Sequence, residues 1–286
     1  RNIKGLIAEL KRWKFTAITG VNTLFNALLN TPGFDRLDFS SLKVSLGGGM
    51  AVQRAVAEEW KKVTGSTLTQ AWGLTETSPA ACINRFDAPE FNGSIGLPMP
   101  DTDCKIVDLE DADKTVAPGE RGELCVRGPQ VMLGYWNRPE ETALVIRNGW
   151  FHTGDVAVMD PDGYFRIVDR LKEMILVSGF NVYPNEIEDA MYRNPKIAKV
   201  AVIGVPDDKT GEAVKAFVVL REGASATVEE LVTWARDPAN GLTAYRTPKQ
   251  IELRDSLPET MVGKVLRRVL AEEERQKSVS GATASP

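Results

Sequence analysis

The run from Leu42 to Trp72 constrains the fold of this chain more than any other. Leu42-Lys43-Val44-Ser45-Leu46 reads as a short strand that leads straight into Gly47-Gly48-Gly49. Apolar residues then recur at helical spacing over roughly Val52–Val63, and Gly65 stands where a left-handed residue would stop that helix. Thr67–Trp72 reads as the next strand. Strand, glycine loop, helix and strand in so short a stretch point to a parallel α/β layer, because a helical crossover returns the chain in its original direction. In such layers the ligand loops lie at the carboxyl ends of the strands.

The flanking segments extend this pattern. Ile3, Leu6, Ile7 and Leu10 predict a helix, Phe15–Thr19 a strand, and Leu24, Phe25, Leu28 and Leu29 a helix closed by Thr31-Pro32-Gly33. From about Ile95 the pattern becomes β-rich. Cys104–Val107 and Gly122–Arg127 flank a Pro118-Gly119 turn, and Val156–Met159 and Tyr164–Val168 flank Pro161-Asp162-Gly163, a hairpin signal. Residues 95–169 therefore read as a mostly antiparallel β subdomain at the end of a large α/β domain over 1–169. Beyond Arg170 the expected elements are a strand at Ile175–Val177, a helix at Tyr183–Tyr192 opening on Pro184, strands at Lys199–Val205 and Ala213–Leu220, a helix at Val228–Ala235 and a final helix at Gly263–Glu274. They make a small α+β domain over 170–277. The tail 278–286 is small and polar, and disorder is expected there.

Composition narrows the function. With 286 residues and 43% hydrophobic content, the chain can bury a core in one large domain or two medium ones. A net charge of -4 gives no basic bias toward nucleic acid. Its longest apolar runs, such as Val200–Val205, fall far short of the about 18 residues of a membrane span. No amphipathic basic helix stands out, so any membrane contact would be peripheral, on the inner face. Cys82, Cys104 and Cys125 are odd in number and lack a C-x-x-C spacing. They read as buried free thiols in a reducing, cytoplasmic compartment, not as a disulfide frame or zinc site. His152, the single histidine, cannot build a histidine-rich metal site. No signal peptide is visible, and the opening Arg1-Asn2-Ile3 reads as a truncated start.

Three segments carry chemistry. The first is Gln70-Ala71-Trp72-Gly73-Leu74-Thr75-Glu76-Thr77. The second is Gly149-Trp150-Phe151-His152-Thr153-Gly154-Asp155, continuing through Tyr164-Phe165-Arg166-Ile167-Val168-Asp169-Arg170. The third is Leu257-Pro258-Glu259-Thr260-Met261-Val262-Gly263-Lys264-Val265-Leu266-Arg267-Arg268. Gly263-Lys264 is no Walker A loop, since Pro258 stands where that pattern needs glycine. In this order the segments resemble the AMP-forming, adenylate-forming enzymes: acyl-CoA synthetases, luciferases and peptide-synthetase adenylation domains. The resemblance runs from about residue 15 to about residue 275 and is greatest to bacterial long-chain fatty acid–CoA ligases, with Asn22–Leu28 and Met174–Glu188 supporting that branch. The family's Ser/Thr/Gly-rich phosphate loop is nowhere in the sequence. The chain therefore reads as the C-terminal part of a ligase, inactive by itself.

That resemblance implies a nucleotide-binding large domain, a small mobile C-terminal domain, and a reaction in two halves. A carboxylate attacks the α-phosphorus of ATP to give acyl-adenylate and pyrophosphate, and the thiol of coenzyme A then displaces AMP. Gly47, Gly48 and Gly49 would wall the adenine and acyl pockets; a plain tight turn is the alternative. Trp72, where the family commonly has tyrosine, and Gly73 would hold adenine, against a core tryptophan as the bland reading. Thr75 would hold a phosphate oxygen and Glu76 would ligate Mg²⁺; otherwise the two are a helix cap and a first-turn acid. Asp155 would accept from the ribose hydroxyls, an Asx turn being the alternative, and Arg170 would reach the ribose or phosphate. His152 is expected to pack or orient the Asp155 loop and not to act as a base. Lys172 would be the hinge, or else a solvated basic residue. Ser178 and Gly179 would line the path of the coenzyme A arm. Lys264 would neutralise charge during adenylation, against a helix-start surface lysine.

Two other classes compete with the fatty-acid ligase. An amino-acid or aryl-acid adenylation domain would use the same core, with an acidic residue for a substrate amine and a following carrier domain. A nucleotide- or coenzyme A-binding fragment would bind without turnover.

Overall fold

The computed structural model describes residues 2–242, 244–260 and 263–282. The chain divides into two units, Arg1–Ile167 and Val168–Pro286. In the first unit, α1 (Ile3–Arg12), β1 (Ala17–Gly20), α2 (Asn22–Leu29), β2 (Val44–Gly47), α3 (Arg54–Thr64) and β3 (Leu68–Trp72) form the expected α/β layer, followed by the short strands β4 (Cys82–Ile83) and β5 (Leu97–Pro98). The sheet order is β1-β2-β3-β4-β5. β1, β2 and β3 are parallel, with Gly20 beside Gly47 and Gly47 beside Gln70, so their carboxyl ends lie level. β4 and β5 turn antiparallel. Trp60 of α3 is fully buried. Its ring meets Phe25 edge-on at 4.8 Å and Phe34 at 5.3 Å, and its Nε1 donates to Ser45 Oγ at 2.9 Å. The pair that joins α2 to α3 thus fixes both helices on the sheet. α3 starts at Arg54 and not at Val52. The N–H of Val52 donates to Gln70 Oε1 and that of Gln53 to Asn22 Oδ1, which satisfies these donors outside the helix. Gly65 ends α3 at φ +75° as its position predicted.

The second sheet of this unit is antiparallel. Its strands are β6 (Asp103–Val107), β7 (Arg121–Arg127), β8 (Ile146–Arg147), β9 (Trp150–Met159) and β10 (Phe165–Arg170), in the order β10-β9-β7-β6 with β8 on β9. A short helix, α4 (Pro139–Val145), precedes β8. β9 is longer than the sequence suggested. Asp155 lies inside it, not at a strand edge, at an irregularity in the pairing with β7.

The second unit holds β11 (Ile175–Val177), β12 (Phe180–Val182), α5 (Pro184–Met191), β13 (Ile197–Asp207), β14 (Gly211–Leu220), α6 (Val228–Arg236), β15 (Gln250–Leu253) and α7 (Arg267–Ala282). The sheet runs β12-β11-β14-β13, with β15 parallel to β14. Its core gathers Ile187, Met191, Ile197, Val218 and Leu231, all buried. Thr227 caps α6 and Glu230 returns the bond, a capping box. α7 differs from expectation at both ends. It begins at Arg267 because Gly263 and Lys264 belong to a reverse turn: Thr260 N–H donates to Lys264 O at 2.8 Å, and Glu259 bridges Val265. It runs to Ala282, beyond the expected end at Glu274, each added residue extending an established ladder by one bond. Residues 283–286 lie outside the described part. No helix among the described residues is long and apolar enough to cross a membrane.

Candidate active site

The level carboxyl ends of β2 and β3 bring the first group of candidates together. Gly48 N–H donates to Gly20 O at 3.0 Å, and a Cβ on Gly48 would lie 3.5 Å from Ala71 O. Gly47–Gly49 therefore run directly beside Ala71-Trp72-Gly73. Gly73 is required by space: a Cβ there would sit 1.8 Å from Pro79 O. The chain next makes a 3₁₀ turn, Thr75–Thr77. Thr75 does not cap it. Thr77 does, accepting the Leu74 N–H at Oγ1 (2.9 Å) while fully buried. The Thr75 hydroxyl is left at the exposed surface of the turn.

Trp72 and Asp155, 83 residues apart, meet here. Trp72 Nε1 donates to Asp155 Oδ2 at 3.0 Å, and Asp155 is only 3% exposed. The bond fixes the indole plane against a carboxylate, a pairing suited to a base and the sugar attached to it. Glu76 is half-buried and held from the 129–138 loop, where Tyr135 donates its hydroxyl to Oε1 at 2.9 Å and the Met132 N–H donates to Glu76 O at 2.8 Å. Burial, and then the Glu76 carboxylate, push the Tyr135 phenol up, so it remains a donor.

Behind Asp155 lies a buried polar cluster. Glu123 Oε1 accepts the Gly154 N–H at 3.0 Å. Its Oε2 lies 2.8 Å from His152 Nδ1 and 3.6 Å from Arg147 Nη2. Cys125 Sγ is 3.3 Å from the same imidazole nitrogen. Burial, with Glu123 adding to it, pushes the Cys125 thiol up to about 12, which keeps it protonated. His152 lies on the same strand as Asp155, and its ring is held by Glu123 and Cys125 of β7. All three cysteines are free, but Cys104 is half-buried, not buried.

The other candidates lie in the second unit. Arg170 ends β10 and is half-buried; Lys172 is exposed in the 3₁₀ turn Leu171–Glu173. Ser178 and Gly179 are the two-residue turn of the β11–β12 hairpin, with φ of +51° and +84°. Both are exposed. Lys264 is exposed on its reverse turn, its N–H donating to Thr260 Oγ1 at 3.1 Å. Three residues on, Arg267 is largely buried. It donates to both oxygens of Glu188 at 3.0 and 2.6 Å, to Asn185 at 2.5 Å and to Glu173, with Asp169 at 3.8 Å. One guanidinium therefore ties the Lys264 turn to the Lys172 turn and to α5.

Sequence reasoning missed Glu123, Tyr135, Thr77 and Arg267 as members of these arrangements. Only Glu123 left a signal, a charge inside the run Gly122-Glu123-Leu124-Cys125-Val126.

Comparison with known proteins bears on this geometry. Residues 1–136 match the model of the AMP-binding enzyme family, and residues 186–264 match that of the AMP-binding enzyme C-terminal domain. This chain belongs to the AMP-binding enzyme family. It is 58% identical over 277 residues to a long-chain-fatty-acid–CoA ligase of Escherichia coli O157:H7, and 46% identical over 267 residues to one of Bacillus subtilis. These alignments take in 97% and 93% of this chain but 48% and 47% of the relatives. The chain thus spans about half the length of the curated relatives it matches. The fold matches that of ATP-bound MatB from Rhodopseudomonas palustris with a TM-score of 0.85 at 31% identity, over 96% of this chain and 53% of that one.

Proposed function

We propose that the whole protein is an ATP-dependent acyl-CoA ligase acting on a long-chain fatty acid. The observation that carries the reaction class is the bond between Trp72 and Asp155 at the carboxyl ends of the sheet, beside Gly73 and Glu76. The fatty acid rests on the 58% identity to a ligase of that name.

In this reading Trp72 offers its indole face to adenine, Gly47–Gly49 leave room for the ring, Asp155 accepts from ribose hydroxyls, Thr75 holds a phosphate oxygen, and Arg170 reaches the ribose or phosphate. The fatty carboxylate attacks the α-phosphorus, and the bond to pyrophosphate breaks. Lys264 neutralises the charge that develops. The deprotonated thiol of coenzyme A then attacks the acyl carbonyl, and AMP leaves with the electron pair. Ser178 and Gly179 line the thiol arm, and the small unit pivots at Lys172 between the steps. Glu76 fits a hard divalent cation: it is a half-buried carboxylate, and Tyr135 already orients one of its oxygens. Mg²⁺ bound there would offset phosphate charge. The free thiols support a cytoplasmic setting, with membrane contact at most peripheral.

The deciding assay measures AMP release by the whole protein over short, medium and long fatty acids and amino acids, with and without coenzyme A. Coenzyme A-dependent release that peaks with long acids is expected. Turnover only with amino acids would move the protein to carrier-linked adenylation. Nucleotide binding without AMP release would leave it a binding protein.

A further inference from the structure

We infer that Glu123 is a positioning residue that builds the backbone bulge from which Asp155 addresses a ribose. The inference rests on the ribose reading of Asp155 given above.

β7 and β9 pair regularly on either side of this point but not through it. Glu123 stands opposite Val156, and Cys125 stands opposite His152. One residue of β7, Leu124, therefore faces three of β9: Thr153, Gly154 and Asp155. Backbone groups in such a bulge lose their ladder partners and must find others. Side chains supply them here. Gly154 N–H donates to Glu123 Oε1 at 3.0 Å. Asp155 N–H donates to Thr153 Oγ1 at 3.1 Å, and the Thr153 hydroxyl donates to Leu124 O at 2.7 Å. Gly154 takes φ +69°, which a side chain would resist.

Glu123 is the one charged side chain that accepts from a backbone N–H of the bulge. It is 8% exposed, so its carboxylate needs compensation. Arg147 supplies charge at 3.6 Å, and the His152 imidazole fixes Oε2 at 2.8 Å. The carboxylate is thus clamped on one oxygen while the other holds the bulge open. Without that acceptor, the Gly154 N–H regains an advantage in returning to a regular ladder. The register differs by two residues across the bulge, so its collapse would shift Asp155 along the strand by that amount, away from Trp72.

The test compares ATP with 2′,3′-dideoxy-ATP in the whole ligase, reading kcat/KM for each together with KM for fatty acid and for coenzyme A. Asp155→Ala sets the reference by abolishing discrimination between the two nucleotides. Glu123→Ala is expected to lower kcat/KM for ATP by about tenfold or more, the scale of a charge-assisted hydrogen bond. It should lower that for the dideoxy analogue far less and leave the other two KM values unchanged. A merely structural loss would depress both nucleotides equally. Glu123→Gln, which keeps an acceptor for Gly154, should restore most of the discrimination, and Glu123→Asp, which withdraws it, should not. Wild-type discrimination in Glu123→Ala, alongside its loss in Asp155→Ala, overturns the inference and leaves the ribose reading standing. Retained discrimination in Asp155→Ala overturns that reading itself. Should Glu123→Ala fail to fold, the Gln and Asp variants decide: a drop in Asp but not in Gln supports the inference, and no drop in either sinks it.

Discussion

The two units hold their candidate groups in opposite ways. In the first, Trp72, Asp155 and Glu76 are fixed. Asp155 is buried against the Trp72 N–H, its strand is pinned through Glu123, and Glu76 is gripped by Tyr135. In the second, Lys172, Ser178, Gly179 and Lys264 all stand exposed on turns. The difference matches the work proposed for each. A nucleotide present through both half-reactions gains from donors and acceptors set in advance, which need no reorganisation when it binds. A lysine or a turn that serves one half-reaction must be free to approach and withdraw. The second unit is not loose on that account, because the Arg267 cluster beneath its exposed turns is dense and buried.

The largest effect should come from attacking that base. Arg267→Ala leaves Glu173, Glu188 and Asp169 without their shared cation. A loss of about 3–5 kcal/mol is expected for breaking a buried ion pair. Hydrogen exchange in β13 and β14 would report it. Unchanged protection would mean that the exposed turns need no rigid support.

Lys264→Ala should do the reverse. It leaves the stability of the chain unchanged but slows adenylation in the whole ligase by about 100- to 1,000-fold, the scale of one preorganised charge donor. Thioester formation from preformed acyl-adenylate should be spared. Equal loss in both half-reactions would end the division between fixed and moving groups.

Trp72→Phe keeps a ring but removes the donor to Asp155. KM for ATP should rise by about tenfold, the lower end of a hydrogen bond to a charged group, with KM for the fatty acid constant. An unaltered ATP KM would mean that the fixed geometry around Asp155 does not depend on the indole.

The smallest effect is a pH dependence in the second unit. Burial pushes the Glu188 carboxyl from 4.5 up to about 7, with Arg267 opposing the shift. An acid whose folded value is raised contributes stability in full below pH 4.5 and loses it as pH rises through 7. Between pH 6 and 8 that loss is roughly 1.4 kcal/mol. Denaturation of the chain at the two pH values would measure it, and Glu188→Gln should flatten the difference.

Much of this architecture was legible in the sequence, where local chemistry decides. Gly65 and Pro184 marked helix ends because caps depend on a few neighbouring residues. Three motifs marked Trp72, Asp155 and Lys264 as candidates. The bulge in β9 was not legible, because it exists only against the register of β7. Arg267 was hidden for the same reason: its partners Glu173, Asn185 and Glu188 lie 79 to 94 residues away. The start of α7 moved because Thr260 claimed Lys264 for a turn.

The sequence by itself determined the α/β order and the parallel layer around Gly47–Gly49. These follow from periodicity, glycine placement and short motifs, all local quantities. Only the tertiary structure decided that the Trp72 N–H meets Asp155, that Glu123 holds Gly154, and that one buried arginine underlies two exposed turns. Those bonds join residues far apart in the chain, and their strength comes from the burial that folding creates.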